Sequence, residues 1–344
     1  MANRPTITDL AKASGVSVAT VDRVLNGRAK VRAETTQRVF DAAHAIGYHG
    51  TPLLAQRLKS DLPEVRIGFV LHKEKHHFFQ AFKQAAEGAA ARAYGIRGKA
   101  VIAYAQGQTP QAFVETMEGI APSVDVLAAT AIAHVDTGDA VQRFQAQGKP
   151  CFALLNDFAQ GHRRSYIGLN NLQTGRIAAH MVATAAPRAG KVAIFVGGHR
   201  WHGHELREAG FRSYFREHAP QFEILDTLVN LETRELTYEA TLDLLARYPD
   251  LTGIYCAGGG MEGAIAALRE VRAPREVALV VNELTPDSRR ALADRYLELV
   301  INTPLNRVCD DLFGLARTVL ERSENQIPGQ HFLMPELFLP ESIS

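Results

Sequence analysis

From Val65 onward, short runs of Val, Ile and Leu alternate with longer amphipathic segments, and this alternation constrains the fold more than any other feature. The runs are VRIGFVL (65–71), KAVIAY (99–104), VDVLAATA (124–131), KPCFALLN (149–156), SYIGLN (165–170) and KVAIFVG (191–197). They continue as FEILDTLV (222–229), LTGIYCA (251–257), VALVVNE (277–283), LELVINT (297–303) and a last extended piece, PELFLP (335–340). Near-continuous apolar runs mark strands covered on both faces, as in a parallel sheet flanked by helices. Helical spacing fills the intervals: FFQAFKQAAEGAAARAYG (78–95), then helices from Pro110, Asp136, Leu172, about His204, Arg234, Met261, Pro286 and Pro304. About ten strands are too many for one comfortable twisted sheet, so two doubly wound α/β subdomains facing across a cleft are the natural solution. Ligands of such sheets sit at the carboxyl ends of the strands, so residues just after each strand should line that cleft.

The first fifty residues have a different texture. In TITDLAKASGVSVATVDRVLN (6–26), Thr6 can cap a helix with apolar positions Ile7, Leu10 and Ala11, and Asp9 completes a capping box. Gly15 permits a reversal, Ser17 is a second N-cap, and Val21, Val24 and Leu25 form the buried stripe of a second helix. Each helix is about two turns long and needs a third to pack against; Val39, Ala42, Ala43 and Ile46 supply one. Opposite the second stripe lie Ala19, Asp22, Arg23 and Asn26, the arrangement by which a recognition helix meets a DNA major groove. An ordinary helical hairpin in a larger bundle has the same pattern.

Charge separates the two readings. Residues 1–60 hold nine Lys or Arg against four acids, a net of +5, whereas the rest holds 29 against 33, a net of −4. A basic head on a mildly acidic body suits a module that meets a polyanion. The three cysteines, Cys151, Cys256 and Cys309, lack CxxC spacing and read as small buried hydrophobes. No apolar run of about 18 residues and no secretory signal is present, so a cytoplasmic location away from any membrane is expected.

Head and body together resemble the lac-repressor (LacI) family of bacterial transcription regulators. The likeness rests on residues 6–31, on ETTQRV and IGY (46–48), on a LAQRL linker helix, and on a body similar to periplasmic binding proteins of type I. It implies a helix-turn-helix domain (1–49), a hinge (50–63) and an effector-binding domain (64–344). In that domain the N-subdomain comprises about 64–168 and 304–325, and the C-subdomain about 169–303 and 326–344. It further implies a repressor without catalytic activity or cofactor, acting as a homodimer or tetramer on a pseudo-palindromic double-stranded operator. Val18, Ala19 and Arg23 match base-facing positions; Thr6, Ser17, Thr20 and Asn26 match phosphate contacts; Leu58 matches the minor-groove wedge and Ala55 its close-packed neighbour. Three departures stand out. Asp22 replaces the usual serine and is expected to pair with Arg23, Arg32 replaces the N-cap serine of the third helix, and the YHGTP linker is one residue longer than the common pattern.

The strand ends carry groups suited to a sugar or polyol, whose vicinal hydroxyls take amide and carboxylate partners and whose C–H face takes aromatic rings. By resemblance His76, Phe78 and Phe79 would hydrogen-bond and stack on the ring, and Arg207 would reach a hydroxyl. Asn156, Asp157, Asn170, Asn282, Glu283 and Asn302 sit at strand ends or crossovers, and Trp201 suits ring stacking. His199, His202 and His204 fit no regular metal spacing, and no metal is expected. Gly258, Gly260 and Gly263 spell GxGxxG after a strand, with Glu283 ending the next one, which is formally a dinucleotide fingerprint. A NAD-dependent polyol dehydrogenase is therefore one alternative, and a free-standing sugar-binding protein another. In the family this turn lines the cleft, and its glycines, Gly259 included, are expected to leave that side of the pocket open.

Overall fold

Thr6 opens the first helix, α1 (Ile7–Ser14), through a reciprocal capping box: its hydroxyl accepts from the Asp9 amide at 3.3 Å, and the Asp9 carboxylate accepts from the Thr6 amide at 2.8 Å. The computed structural model describes residues 5–26, 31–51, 62–321 and 329–343. Two units emerge, a helical one at the N-terminus and a larger α/β one.

In the helical unit, Gly15 adopts the left-handed conformation (φ 65°, ψ 32°) that ends α1 and turns the chain. The Ser17 hydroxyl then accepts from the Thr20 amide at 3.2 Å, capping α2 (Val18–Asn26). Helix α3 (Ala33–Ala45) starts at Arg32 without a side-chain cap. Leu10, Ala11, Val21, Val24, Val39, Ala43 and Tyr48 form one buried cluster, with Leu25, Ala42 and Ile46 packed at its margin. Short helices that are individually unstable gain their stability from this shared core.

The α/β unit contains two sheets. The first has the order β12-β5-β4-β3-β1-β2, from β1 (Glu64–His72), β2 (Arg97–Ala105), β3 (Val126–Ala129), β4 (Cys151–Leu154), β5 (Ser165–Leu169) and β12 (Gly329–Leu333). Among its pairs, β1–β3, β3–β4, β4–β5 and β5–β12 are parallel. The second is β13-β11-β10-β9-β6-β7, from β6 (Lys191–Val196), β7 (Glu223–Ile224), β9 (Leu251–Cys256), β10 (Ala278–Asn282), β11 (Leu299–Asn302) and β13 (Glu336–Phe338), with β8 (Leu228–Val229) also pairing with β6. Among the described residues its antiparallel pair is β11–β13. Every residue of β3, β4, β9 and β10 is buried, as expected for strands covered on both faces. The crossovers are α4 (His77–Arg92), α5 (Pro110–Ile120), α6 (Val135–Ala146), α7 (Asn171–Ala185), α8 (His202–His218), α9 (Arg234–Arg247), α10 (Met261–Val271), α11 (Pro286–Ala293) and α12 (Leu305–Glu321).

Two expectations need correction. The stretch 222–229 is not one strand but two: Arg212 donates to the Leu225 carbonyl at 3.0 Å and the Thr227 hydroxyl at 2.8 Å, so side-chain bonds hold the interruption between β7 and β8. Residues 326–344 do not all join the C-subdomain either. β12 adds to the edge of the first sheet, and the chain returns to the second only at β13. The three cysteines are free and buried, and burial pushes the Cys151 and Cys309 thiols up to about 12, so they serve as inert packing groups.

Candidate functional site

On α2 the side opposite the buried stripe is open. Val18 is 46% exposed, Ala19, Arg23 and Asn26 are exposed beside it, and Thr20 is half-buried. Asp22 does not pair with Arg23; its carboxylate accepts from Asn26 Nδ2 at 2.6 Å. Neighbouring helical residues diverge around the axis, whereas positions four apart share a face. Thr6 and Ser17 keep their hydroxyls on the cap partners Asp9 and Thr20. Arg32, at the start of α3, is exposed. Ala55, Leu58 and the rest of the expected LAQRL helix lie outside the described residues.

In the α/β unit the carboxyl ends of both sheets converge on a cavity of about 110 Å³. Of the expected ligand residues, His76, Phe78, Phe79, Asn156 and Trp201 line it, as do Arg207, Gly259, Asn282 and Glu283. Three others do not. Asp157 is buried against Arg163, whose Nη2 donates to it at 2.8 Å, and it also accepts from Gln330 at 2.9 Å. Asn170 caps α7, accepting from the Gln173 amide at 3.2 Å. Asn302 accepts from the Leu284 amide at 3.0 Å and donates to Glu336 at 2.8 Å. Each sits at a strand end or crossover, as expected, but spends its polar atoms on the scaffold.

The polar lining is held in place by its own partners. Asn156 donates to the Ala131 carbonyl at 2.6 Å and accepts from the Gly203 amide at 2.8 Å, joining the two sheets' loops across the cleft. Arg207 donates to Asn171 Oδ1 at 2.7 Å and to the Ala257 carbonyl at 2.6 Å. Asn282 accepts from the Tyr255 hydroxyl at 2.8 Å. Glu283 accepts from the Thr303 amide at 3.0 Å and the Thr303 hydroxyl at 2.6 Å; burial raises its pKa and these bonds partly oppose the rise. The aromatic wall is continuous. His72 stacks on Trp201 (5.1 Å between centroids, 28°), packs on Phe79 at 4.2 Å and meets Phe113 edge-on. Trp201, which follows β6, is buried in the hydrophobic cluster of the first sheet with Phe113 and Phe158.

Expectation from sequence missed Glu232, the most connected group at the site. Its carboxylate accepts from Lys73 Nζ at 2.8 Å, Gln108 Nε2 at 3.1 Å and the Gly259 amide at 3.3 Å, and faces His204 and His72 at 3.7 and 4.0 Å. Burial pushes its pKa up, but Lys73, joined in acid by His204 and His72 once they are protonated, outweighs it and holds the group well below the usual carboxylate range. Burial lowers His72 and His204 to about 4, against the pull of Glu232, and lowers His76 as well, so all three rings are neutral at pH 7. Lys73, Leu155, Glu232 and Glu283, all in the lining, have positive φ (49°, 61°, 53° and 71°), a concentration of backbone strain at one place. The strand-end rule was the available signal: Lys73 follows β1 and Glu232 lies just past β8.

The glycine turn is not open space, since His204 covers Gly258 and Glu232 covers Gly259: a Cβ on Gly258 would meet His204 Nε2 at 2.8 Å, and one on Gly259 would meet Glu232 Cβ at 2.9 Å. Farther on, a Cβ on Gly263 would clash with the Arg234 carbonyl oxygen, so this glycine serves the close packing of α10 on α9. Among the described residues no group of three or more His, Cys, Asp or Glu is placed to hold a metal ion, and no helix is long and apolar enough to cross a membrane.

Comparison with known proteins places both parts. Residues 67–307 match the model of the periplasmic binding protein domain, and residues 6–50 that of bacterial regulatory proteins of the lacI family. An uncharacterized HTH-type transcriptional regulator in the aml 5′ region of Streptomyces limosus is 28% identical over 98% of this chain and 93% of its own. The HTH-type transcriptional regulator GalS of Salmonella typhimurium is 24% identical over 77% and 75%. Among solved structures, an ABC transporter solute-binding protein from Burkholderia graminis in complex with D-arabinose shares the fold (TM-score 0.74, 19% identity, 83% of this chain and 98% of that one). The chain thus belongs to the periplasmic-binding-protein domain family through its body and, through its head, to the lacI family of bacterial transcription regulators.

Proposed function

We propose that the protein is a transcription regulator, a repressor, that binds a pseudo-palindromic operator as a homodimer and takes a sugar or polyol into the cavity between its two sheets. The observation that carries this reading is the exposed face of α2, where Val18, Ala19 and Arg23 stand free opposite the buried stripe of a lacI-family head. Arg23 is suited to bidentate contact with guanine, and Val18 and Ala19 to thymine methyl groups. A dimer would set two such helices about one DNA turn apart. The cavity supports the effector: aromatic rings on one side, and fixed amide, guanidinium and carboxylate groups on the other, are the chemistry of polyol recognition. The D-arabinose complex of the Burkholderia protein with the same fold agrees with that class.

No reaction is assigned to the cavity: Lys73 is paired with Glu232, Arg207 donates to Asn171 and Ala257, and Glu283 accepts from Thr303, so each is held as a fixed polar group. The effector would act through its different affinity for open and closed arrangements of the two sheets, changing operator affinity by the corresponding factor. As a DNA-bound regulator the protein would work in the cytoplasm. The test is selection of bound sequences from random or genomic DNA by the full chain at low salt. An enriched two-fold-symmetric site supports the reading, and no enrichment refutes it.

A further inference from the structure

Backbone amides at a glycine-rich turn opening a helix make an anion-binding site, since the first N–H groups of the helix lack partners and its dipole favours negative charge. The turn Gly258–Gly260 before α10 is such a place, and it faces the cavity. Here the position is occupied by the protein itself: the Glu232 carboxylate accepts from the Gly259 amide at 3.3 Å while neutralising Lys73 at 2.8 Å. The other fixed cation of the lining, Arg207, shares the cavity with the Glu283 carboxyl group and has two donors committed to Asn171 and Ala257. The imidazoles of His72, His76 and His204 are uncharged at neutral pH. Two cations thus stand against two acidic groups: Lys73 is paired with Glu232, and Arg207 offers only the donors that Asn171 and Ala257 leave.

We propose that Glu232 is a resident anion that restricts the cavity to uncharged sugars or polyols and shuts out their phosphate and carboxylate derivatives. Resting on the reading of this cavity as the effector site, the proposal names which chemical class that site accepts. A phosphate or carboxylate brought here would lose water, face two acidic groups and find its best amide and ammonium partners already taken.

The test uses the full chain and calorimetric titration, after a thermal-shift screen of neutral aldoses, ketoses and inositols together with the sugar phosphate and sugar acid related to each. A neutral compound is expected to bind, and its charged counterparts to bind at least about tenfold more weakly. Glu232→Gln, which keeps the shape and frees Lys73, is expected to shrink that ratio by at least about tenfold. Lys73→Gln, which leaves the carboxylate and removes its cation, is expected to widen it, and serves if Glu232→Gln does not fold. Charged counterparts that bind the wild type as well as the neutral compound overturn the proposal, as does a ratio unchanged in the variants, while both results leave the effector site standing. Failure of every compound, neutral and charged, refutes the effector reading itself and this proposal with it.

Discussion

Lowering the pH should loosen the α/β unit over a window set by two buried rings. His72 and His204 are 5% and 8% exposed, and their folded pKa values of about 4 lie below the ordinary 6.5. A histidine with a depressed folded pKa stays neutral in the native state while the unfolded chain takes up a proton, so stability is complete above about 6.5 and falls as pH drops toward 4. Between pH 7 and pH 5 the proton difference acts over about 1.5 units, at about 1.4 kcal/mol per unit, giving about 2 kcal/mol for each ring. Glu232 acts in a separate window: its depressed pKa contributes stability above its ordinary value of 4.5 that is lost only below it. Urea unfolding of the full chain followed by far-ultraviolet circular dichroism, at pH 7 and pH 5, compares wild type with His204→Gln and His72→Gln. Each variant should lose about 2 kcal/mol less than wild type on acidification: histidines outside this cluster cancel in the difference, and the ring that remains keeps its own buried site beside Glu232. Equal losses in wild type and both variants would refute the assignment of neutral, buried rings.

Other consequences follow from the same packing. Trp201 is the single tryptophan and stacks on His72 at the cavity wall, so any effector that calorimetry shows to bind should change the intrinsic fluorescence; an unchanged spectrum at saturation would remove Trp201 from the site. Gly263→Ala would drive a methyl group into the Arg234 carbonyl and should destabilise by about 1–3 kcal/mol, read as a lower melting temperature; a neutral substitution would mean α9 and α10 are not in that contact. Arg23→Ala should weaken operator binding by about 1–3 kcal/mol and relax preference at one base position, measured by competition with single-base operator variants, whereas a uniform loss across all sequences would make Arg23 a phosphate contact.

Much of the fold could be read from the chain because its signals are local. The buried strands are continuous apolar runs, and Thr6, Asp9 and Gly15 mark the bounds of α1 by their own chemistry. β12 escaped notice because an edge strand with exposed Gln330 carries no apolar signature. At the site, the strand-end rule pointed to Asn156, Asn282 and Glu283 but could not tell cavity groups from scaffold groups, and Arg207, inside α8, came from the family resemblance alone. Asp157 differs from Asn156 only in that Arg163 and Gln330 reach it, a matter of tertiary placement. Glu232 depends on Lys73, 159 residues away in sequence, and on a left-handed backbone at a non-glycine residue, neither of which periodicity encodes.

The most direct measurement is the affinity of the full chain for a selected operator, by fluorescence anisotropy at several salt concentrations, with and without a sugar that calorimetry shows to bind. Specific binding with a dissociation constant on the order of 10⁻⁸ M or lower, a steep inverse dependence on salt, and a shift on adding the sugar are expected. Equal affinity for operator and unrelated DNA, or an operator affinity that a saturating sugar leaves unchanged, would contradict an effector-controlled regulator.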